Sequence, residues 1–252
     1  MIEFKGLSVK DKERVILHDA SVKLPNGRIY GVLAMEAEDG ARLLAAMSGA
    51  VPYEGQIKIN GFDLRKQSKK ARQCLGYLPS GAPLYLPFDA VETLSFVAQS
   101  KGIPYERAIR QMHELLESAG LSDVKHRLAS SMEEIDRRLL AILQAAMGES
   151  DILLLSDPTA DLNDRESEEV LALIETLGEK RTVFVSARTV FSLPQTCDAF
   201  LILQDGTLTE AQKGELADEF RVPRDKSRTK ERKRKPERDG EYELISDGEE
   251  DA

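Results

Sequence analysis

The chain has no tryptophan, only two cysteines and three histidines, and aromatic residues make up 6% of its 252 positions. Each scarcity excludes something. Cys74 and Cys197 stand far apart and form no CxxC pair, so the sequence builds neither a disulfide scaffold nor a zinc ribbon. His18, His113 and His126 are scattered without ligand spacing; surface or core histidines are the simplest role, and no metal site is expected. No apolar run approaches membrane-spanning length, and Met1-Ile2-Glu3-Phe4-Lys5 lacks the apolar centre of a signal peptide, so a cytoplasmic chain is expected. Positive charge is in deficit: 35 Lys+Arg against 44 Asp+Glu leaves −9, which argues against a general nucleic-acid-binding surface.

What remains is a 28.0 kDa chain, 41% hydrophobic and 31% charged, long enough to bury a sizeable core. Its charge is uneven. Residues 221–238 hold ten bases against three acids, and residues 239–252 hold seven acids and no base. A stretch so poor in apolar side chains cannot offset its ordering entropy, and a disordered basic-then-acidic tail is expected at 221–252. The basic run at 230–235 could pass for a nucleic-acid patch, but the neighbouring acids neutralise it; near anionic lipid, such bases contribute about 1 kcal/mol each.

Ahead of the tail, strand and helix signals alternate. Apolar, β-prone runs fall at 28–33, 56–59, 152–155, 182–186 and 199–203. Ile135, Leu139, Ile142, Leu143 and Ala146 share one helical face, as do Val170, Leu171, Ile174 and Leu177. The second helix is entered by a capping-box pattern, Asn163-x-x-Glu166, and is expected to end at Gly178. Asn60-Gly61 reads as a tight hairpin turn. Buried runs such as Leu153-Leu154-Leu155 between helices imply a parallel sheet covered on both faces. Residues 88–128 are helical by pattern and hold no strand run. No internal repeat is present.

One stretch has a specific spacing: Gly31-Val-Leu-Ala-Met-Glu-Ala-Glu-Asp-Gly-Ala-Arg-Leu-Leu-Ala-Ala-Met-Ser-Gly49. It is followed in order by Gly76-Tyr77-Leu78-Pro79, Pro83-Leu84-Tyr85, Glu92-Thr-Leu-Ser-Phe96, Lys101-Gly102-Ile103 and Leu153-Leu154-Leu155-Ser156-Asp157-Pro158-Thr159. Ala160-Asp161-Leu162-Asn163 and Val183-Phe-Val-Ser186 close the series. In order and frame this resembles the ATP-binding subunit of ABC transporters, in its middle segment most like ABC-2-type exporters. The resemblance implies an α/β, P-loop NTPase-like nucleotide-binding domain over 1–220. Its core would be a mostly parallel sheet, with a small antiparallel β part and an inserted helical subdomain at about 88–147.

The same resemblance implies where ATP and Mg²⁺ would bind, and those positions carry the wrong chemistry. A phosphate loop uses glycines to turn backbone N–H groups inward, a lysine on the β/γ-phosphates and a hydroxyl on Mg²⁺. Here the glycine positions carry Ala34, Ala37 and Asp39, the lysine position Gly40 and the hydroxyl position Ala41, with Glu36 and Glu38 alongside. The simplest role for these acids is to cap a helix at residues 41–47. The adenine-stacking position falls on Asp11, the glutamine position on Ser80, the Mg²⁺-ordering aspartate on Ser156 and the switch histidine on Arg188. Asp157 stands where a general-base glutamate would, one methylene short, as a remnant carboxylate. The signature-loop positions carry Glu133 and Glu134, acids that also suit a capping box from Ser131.

The reading that follows is a degenerate ABC ATP-binding-subunit homologue that does not hydrolyse ATP, with ATP and Mg²⁺ binding weak or absent. It would act as a structural or regulatory partner of an integral membrane permease, peripheral at the inner face of the membrane, as a homodimer or paired with another ATP-binding subunit. Two alternatives stand beside it: an active ABC exporter ATPase with an unusual site, and a soluble scaffold that has left transport.

Overall fold

The structure is a computed structural model, and it describes residues 1–81, 84–212 and 215–216. The tail at 221–252 and Pro83 lie outside the described residues. All five apolar runs are strands. β3 (Ile29–Ala34), β7 (Ile152–Ser156) and β8 (Thr182–Ala187) are buried at every position. With β6 (Leu75–Leu78), β9 (Ala199–Gln204) and β10 (Thr207–Ala211) they form a six-stranded sheet of order β10-β9-β3-β8-β7-β6. Only the β9–β10 pair is antiparallel. A second, antiparallel sheet of order β2-β1-β4-β5 comprises β1 (Ile2–Asp11), β2 (Arg14–Leu24), β4 (Glu54–Ile59) and β5 (Phe62–Asp63).

The two faces of the parallel sheet feed two cores, and the period-2 alternation of strand side chains divides them. Tyr30, Val32, Ile152, Leu154 and Phe184 point toward the antiparallel sheet, where they pack with helix α1 (Ala37–Ser48) and with Phe4, Leu17 and Ile57. Tyr30 and Phe184 stack with ring centroids 4.7 Å apart. Leu33, Leu153, Leu155, Val183 and Val185 point the other way, onto the helices α5 (Glu134–Ala146) and α6 (Asp164–Gly178). β6 approaches α5 so closely that a Cβ on Gly76 would lie 2.1 Å from the Ala145 carbonyl oxygen. The remaining helices are α2 (Ser68–Gln73), α3 (Ala90–Ser100) and α4 (Tyr105–Ser118). Between Ala90 and Ala146 the chain is helices and turns, with no strand.

Local sequence signals act where they stand. Asn163 Oδ1 accepts from the Glu166 amide at 3.0 Å, and Glu166 Oε2 accepts from the Asn163 amide at 2.9 Å, so the capping box opens α6. Asn60 and Gly61 both take left-handed conformations, as the turn between β4 and β5 demands. Gly178 differs from its expected role. It is the last helical residue rather than a left-handed cap, and it is small because a Cβ there would lie 2.5 Å from Ile29 Cδ1. Among the described residues no helix is long and apolar enough to cross a membrane.

Candidate functional site

The C-terminal ends of β3, β7 and β8 lie side by side, which is where parallel α/β sheets place their sites. Here they present Ala34, Ser156 and Ala187. The connection after β3 is two residues, Met35 and Glu36, and α1 starts at Ala37. The helix therefore begins four residues ahead of the expected 41–47, and Ala37, Asp39, Gly40 and Ala41 all lie in its first turns. Ala34, Ala37 and Asp39 stand at the glycine positions, and the segment winds into helix, Gly40 included, rather than arching. No residue from 34 to 41 takes a left-handed conformation, so the alternating backbone that aims successive N–H groups at an anion is not formed. Glu36 is the N-cap without a side-chain cap bond, and the Asp39 amide donates to the Glu36 carbonyl at 3.0 Å. The capping role expected for Asp39 is replaced by another.

Asp39 is held by Arg14. Nη1 of Arg14, at the start of β2, donates to Asp39 Oδ2 at 2.8 Å, and Nη2 reaches Asp39 Oδ1, a bidentate pair. The Asp39 carboxylate holds the Arg14 guanidinium above its ordinary pKa. Asp11, at the end of β1, pairs in turn with Arg42 of α1, its Oδ1 3.5 Å from Arg42 Nη2. The two pairs cross: Asp11-x-x-Arg14 on the β1–β2 hairpin faces Asp39-x-x-Arg42 on the helix, and each aspartate takes the other segment's arginine. Neither Arg14 nor Arg42 was singled out from sequence. The repeated Asp-x-x-Arg spacing was the available signal. An open groove of about 610 Å³ lies beside this clasp, lined among others by Arg14, Ile16, His18, Met35, Asp39 and Leu203.

At the end of β7 the Ser156 hydroxyl is buried and makes no well-formed hydrogen bond. The nearby Tyr77 phenol is pushed up in pKa by burial, against an opposing effect of the Ser156 hydroxyl. Asp157 follows with a left-handed φ of 44°, its amide donating to the carbonyl oxygen of Ser186 at 3.2 Å and to its hydroxyl at 3.1 Å. Thr159 and Thr189 are buried with unpartnered hydroxyls as well. Gly40 packs on this wall: a Cβ there would lie 3.1 Å from Ser186 Cβ. Arg188 and Ser80 are exposed just beyond β8 and β6.

The expected capping box from Ser131 to Glu134 is not formed. Ser131 closes a short 3-10 turn, Ala129–Ser131, and Glu133 is the N-cap of α5, without a side-chain cap bond. Glu134 instead turns along the helix to Arg137 at 2.6 Å and Arg138 at 3.6 Å. Arg138 is buried, and donates to the carbonyls of Pro158 at 2.8 Å and Ala160 at 3.2 Å. It ties the start of α5 to the turn after β7, a link the apolar periodicity gave no hint of. Burial, with Glu133 nearby, raises the pKa of Asp136 in the same turn.

The profile of the ABC transporter family matches residues 17–160, more than half of the chain. The chain belongs to that family. Among its curated relatives, the linearmycin resistance ATP-binding protein LnrL of Bacillus subtilis is 24% identical over 211 residues, covering 82% of this chain and 68% of LnrL. The methionine import ATP-binding protein MetN 1 of Oceanobacillus iheyensis is 26% identical over 223 residues, covering 85% of this chain and 65% of that protein. The dimeric structure of MJ0796, a bacterial ABC transporter cassette, superposes with a TM-score of 0.72 at 19% identity, covering 84% of this chain and 98% of that one. The fold is that of an ABC ATPase cassette: a mostly parallel sheet with an antiparallel sheet beside it.

Proposed function

We propose that this chain is a pseudo-ATPase member of its family, a structural or regulatory cytoplasmic partner of a membrane permease. The observation that carries the reading is the helix starting at Ala37, with no left-handed residue from 34 to 41. A polyphosphate needs inward N–H groups, a cation and a metal-ordering oxygen. This site offers a wound helix, Gly40 in the lysine position and a neutral Ser156. The residues present do not fit ATP with Mg²⁺. Arg14 and Arg42 carry charge that could have met phosphate, but both are engaged by Asp39 and Asp11. Asp157 keeps a carboxylate with no metal-ordering aspartate before it.

In this reading residues 1–220 carry the domain and 88–147 its helical subdomain. The permease partner is supported by an exposed aromatic and apolar patch at the entry to that subdomain. Tyr85 and Phe96 are 62% and 63% exposed, flanked by Leu86 and Leu128, and Phe88 links the two rings edge-on at 4.6 and 6.2 Å. A patch of that kind on a charged protein marks a protein-docking surface. Relatives and structural neighbours are ATP-binding proteins and a dimeric cassette, which supports pairing with a second subunit. Equilibrium titration with Mg-ATP tests the pseudo-ATPase: saturable micromolar binding overturns it in favour of an active exporter ATPase. Detergent pull-down tests the partner: recovery of an integral membrane protein supports the permease, and its loss on Phe96→Ser with Tyr85→Ser places the contact. Failure of wild type to recover one favours a soluble scaffold.

A further inference from the structure

The chain is acidic overall, yet one surface is the reverse. No acidic residue lies between Asp63 and Asp89, while Arg65, Lys66, Lys69, Lys70 and Arg72 fall within eight positions. All five are exposed, and among the described residues none of them pairs with a carboxylate. The nearest acid, Asp63, is already committed: its carboxylate accepts from Gln56 and from the amides of Arg65 and Lys66, and these bonds hold its pKa below the usual range.

Two of these bases, Arg65 and Arg72, line a recess. A groove of about 440 Å³ runs between the loop after α1 and the start of α2, lined by Tyr53, Arg65, Ser68 and Arg72 with the backbone of Gly49 and Ala50. Arg65 sits over the Tyr53 ring, its Cζ 4.1 Å from the ring centroid, and its Nη1 donates to the Gly55 carbonyl at 3.4 Å, so the guanidinium is braced while the residue stays exposed. Arg72 is braced by one bond, Nη2 to the Gly49 carbonyl at 3.0 Å, and keeps its other donors. The Tyr53 hydroxyl is buried without a well-formed hydrogen bond. Arg65 and Arg72 line the groove with Ser68 and Tyr53, Lys66, Lys69 and Lys70 stand beside them in sequence, and among the described residues no ion pair with a carboxylate engages any of the five.

We propose that this groove is a binding site for a phosphoryl anion, carried either by a soluble phosphate ester or by a lipid headgroup. A phosphoryl dianion carries more charge than a carboxylate and presents three acceptor oxygens, which suits a groove lined by two arginines. The groove lies at the C-terminal end of α1, whereas residues 34–41 lead into its N-terminal end, and the proposal does not depend on the proposed loss of ATP binding. Phosphate binding at residues 34–41 would survive changes at Arg65 and Arg72, so the two readings fail separately.

The test uses the full chain and pyrophosphate, measured by calorimetric titration. Saturable binding at low millimolar concentration or tighter is expected, weakened at least tenfold, about 1.4 kcal/mol, by Arg65→Ala with Arg72→Ala. Because Arg72 also braces Gly49, the exposed pair Lys69→Glu with Lys70→Glu is measured beside it, with a loss of about threefold or more expected from charge alone. A second arm floats the protein with phosphatidylcholine vesicles with and without phosphatidylglycerol. Groove-dependent flotation, reduced by Lys69→Glu with Lys70→Glu, assigns the lipid source; pyrophosphate binding without it assigns a soluble ester. No saturable pyrophosphate binding, or binding unchanged in both variants, overturns the proposal.

Discussion

Nucleotide should leave the melting temperature of this protein where it is, and the size of the missing shift can be worked out. A ligand at 100 times its dissociation constant adds about 2.7 kcal/mol to stability. For a domain of this length each kcal/mol moves Tm by about 2–4 °C, so an intact cassette would shift by about 5–11 °C. Two terms oppose binding here. The lysine's charge-assisted bond, about 1.5–3 kcal/mol, is lost at Gly40. One carboxylate about 4 Å from a phosphate repels it by about 4 kcal/mol at an effective dielectric of 20. Asp39 is neutralised by Arg14 and is left out; of the two remaining acids, Glu36 and Glu38, the sum counts a single one as a lower bound. Together they amount to four or five decades of affinity at about 1.4 kcal/mol each. The stabilisation falls below about 0.1 kcal/mol, and Tm should move by less than about 0.5 °C with millimolar Mg-ATP in a fluorescence melt. Repair should fail as well: Gly40→Lys with Ala41→Thr places a Cβ 3.1 Å from Ser186 Cβ, inside a helical turn that no longer arches. A rise of several degrees in the native protein, or ATP turnover in the repaired one, would refute the reasoning.

The crossed clasp makes Arg14→Asp or Asp39→Arg alone destabilising, and the double exchange should recover most of the lost Tm; an exchange no better than the worse single change would remove the pairing. Gly76→Ala forces a Cβ to within 2.1 Å of the Ala145 carbonyl oxygen and 2.7 Å of Leu153 Cδ2, where backbone rather than a flexible side chain must move. A loss of about 3 kcal/mol, or about 6–12 °C in Tm, is expected, and a neutral result would mean that β6 and α5 are not so closely seated. Mixed with a purified active ATP-binding subunit, this chain should lower that subunit's ATPase rate or leave it unchanged: in the head-to-tail pairing that the family resemblance implies, the signature-loop acid Glu133, with Glu134 held by Arg137 and Arg138 beside it, would stand opposite the partner's nucleotide. A stimulated rate sinks that prediction unless Glu133→Ser with Glu134→Gly stimulates it far more.

Much of the fold was legible because parallel strands buried on both faces read as unbroken apolar runs. β3, β7 and β8 have no exposed position, and no other element type suits runs that short. β1 and β2 escaped the same reading because charged residues such as Lys5, Lys10, His18 and Lys23 interrupt them, as a sheet with one open face allows. The early start of α1 was missed because the length of a phosphate loop was carried over to residues that no longer specify one. Ala37-Glu-Asp-Gly-Ala-Arg42 keeps Gly40, yet its Ala37, Glu38, Ala41 and Arg42 are good helix formers and the acids Glu38 and Asp39 suit a first turn. The capping box at Ser131 failed for a different reason. Its acid, Glu134, had two arginines within a turn on its own helix, and those pairs prevailed over a cap.

The clasp shows what a residue-by-residue reading of a degenerate site leaves out. Taken singly, Asp11 and Asp39 are two losses, an aromatic and a glycine replaced by acids. In the fold each is half of a pair whose other half, Arg42 or Arg14, is a gain that no motif position records. A cleft that had only lost its ligand contacts would hold these carboxylates unpaired, and its hairpin would be tied to α1 by apolar packing alone. Here the hairpin and the helix are joined by charge, through two positions, Asp11 and Asp39, that the family resemblance assigns to nucleotide. Restoring binding therefore takes more than restoring the lysine and the hydroxyl. Arg14 and Arg42 lose their partners when Asp39 and Asp11 are reverted, and unless they too are changed or find the phosphates, the reverted cleft has two free guanidinium groups and no clasp. On the proposed reading, the chain is organised to stand without nucleotide, which is a different condition from having failed to keep it.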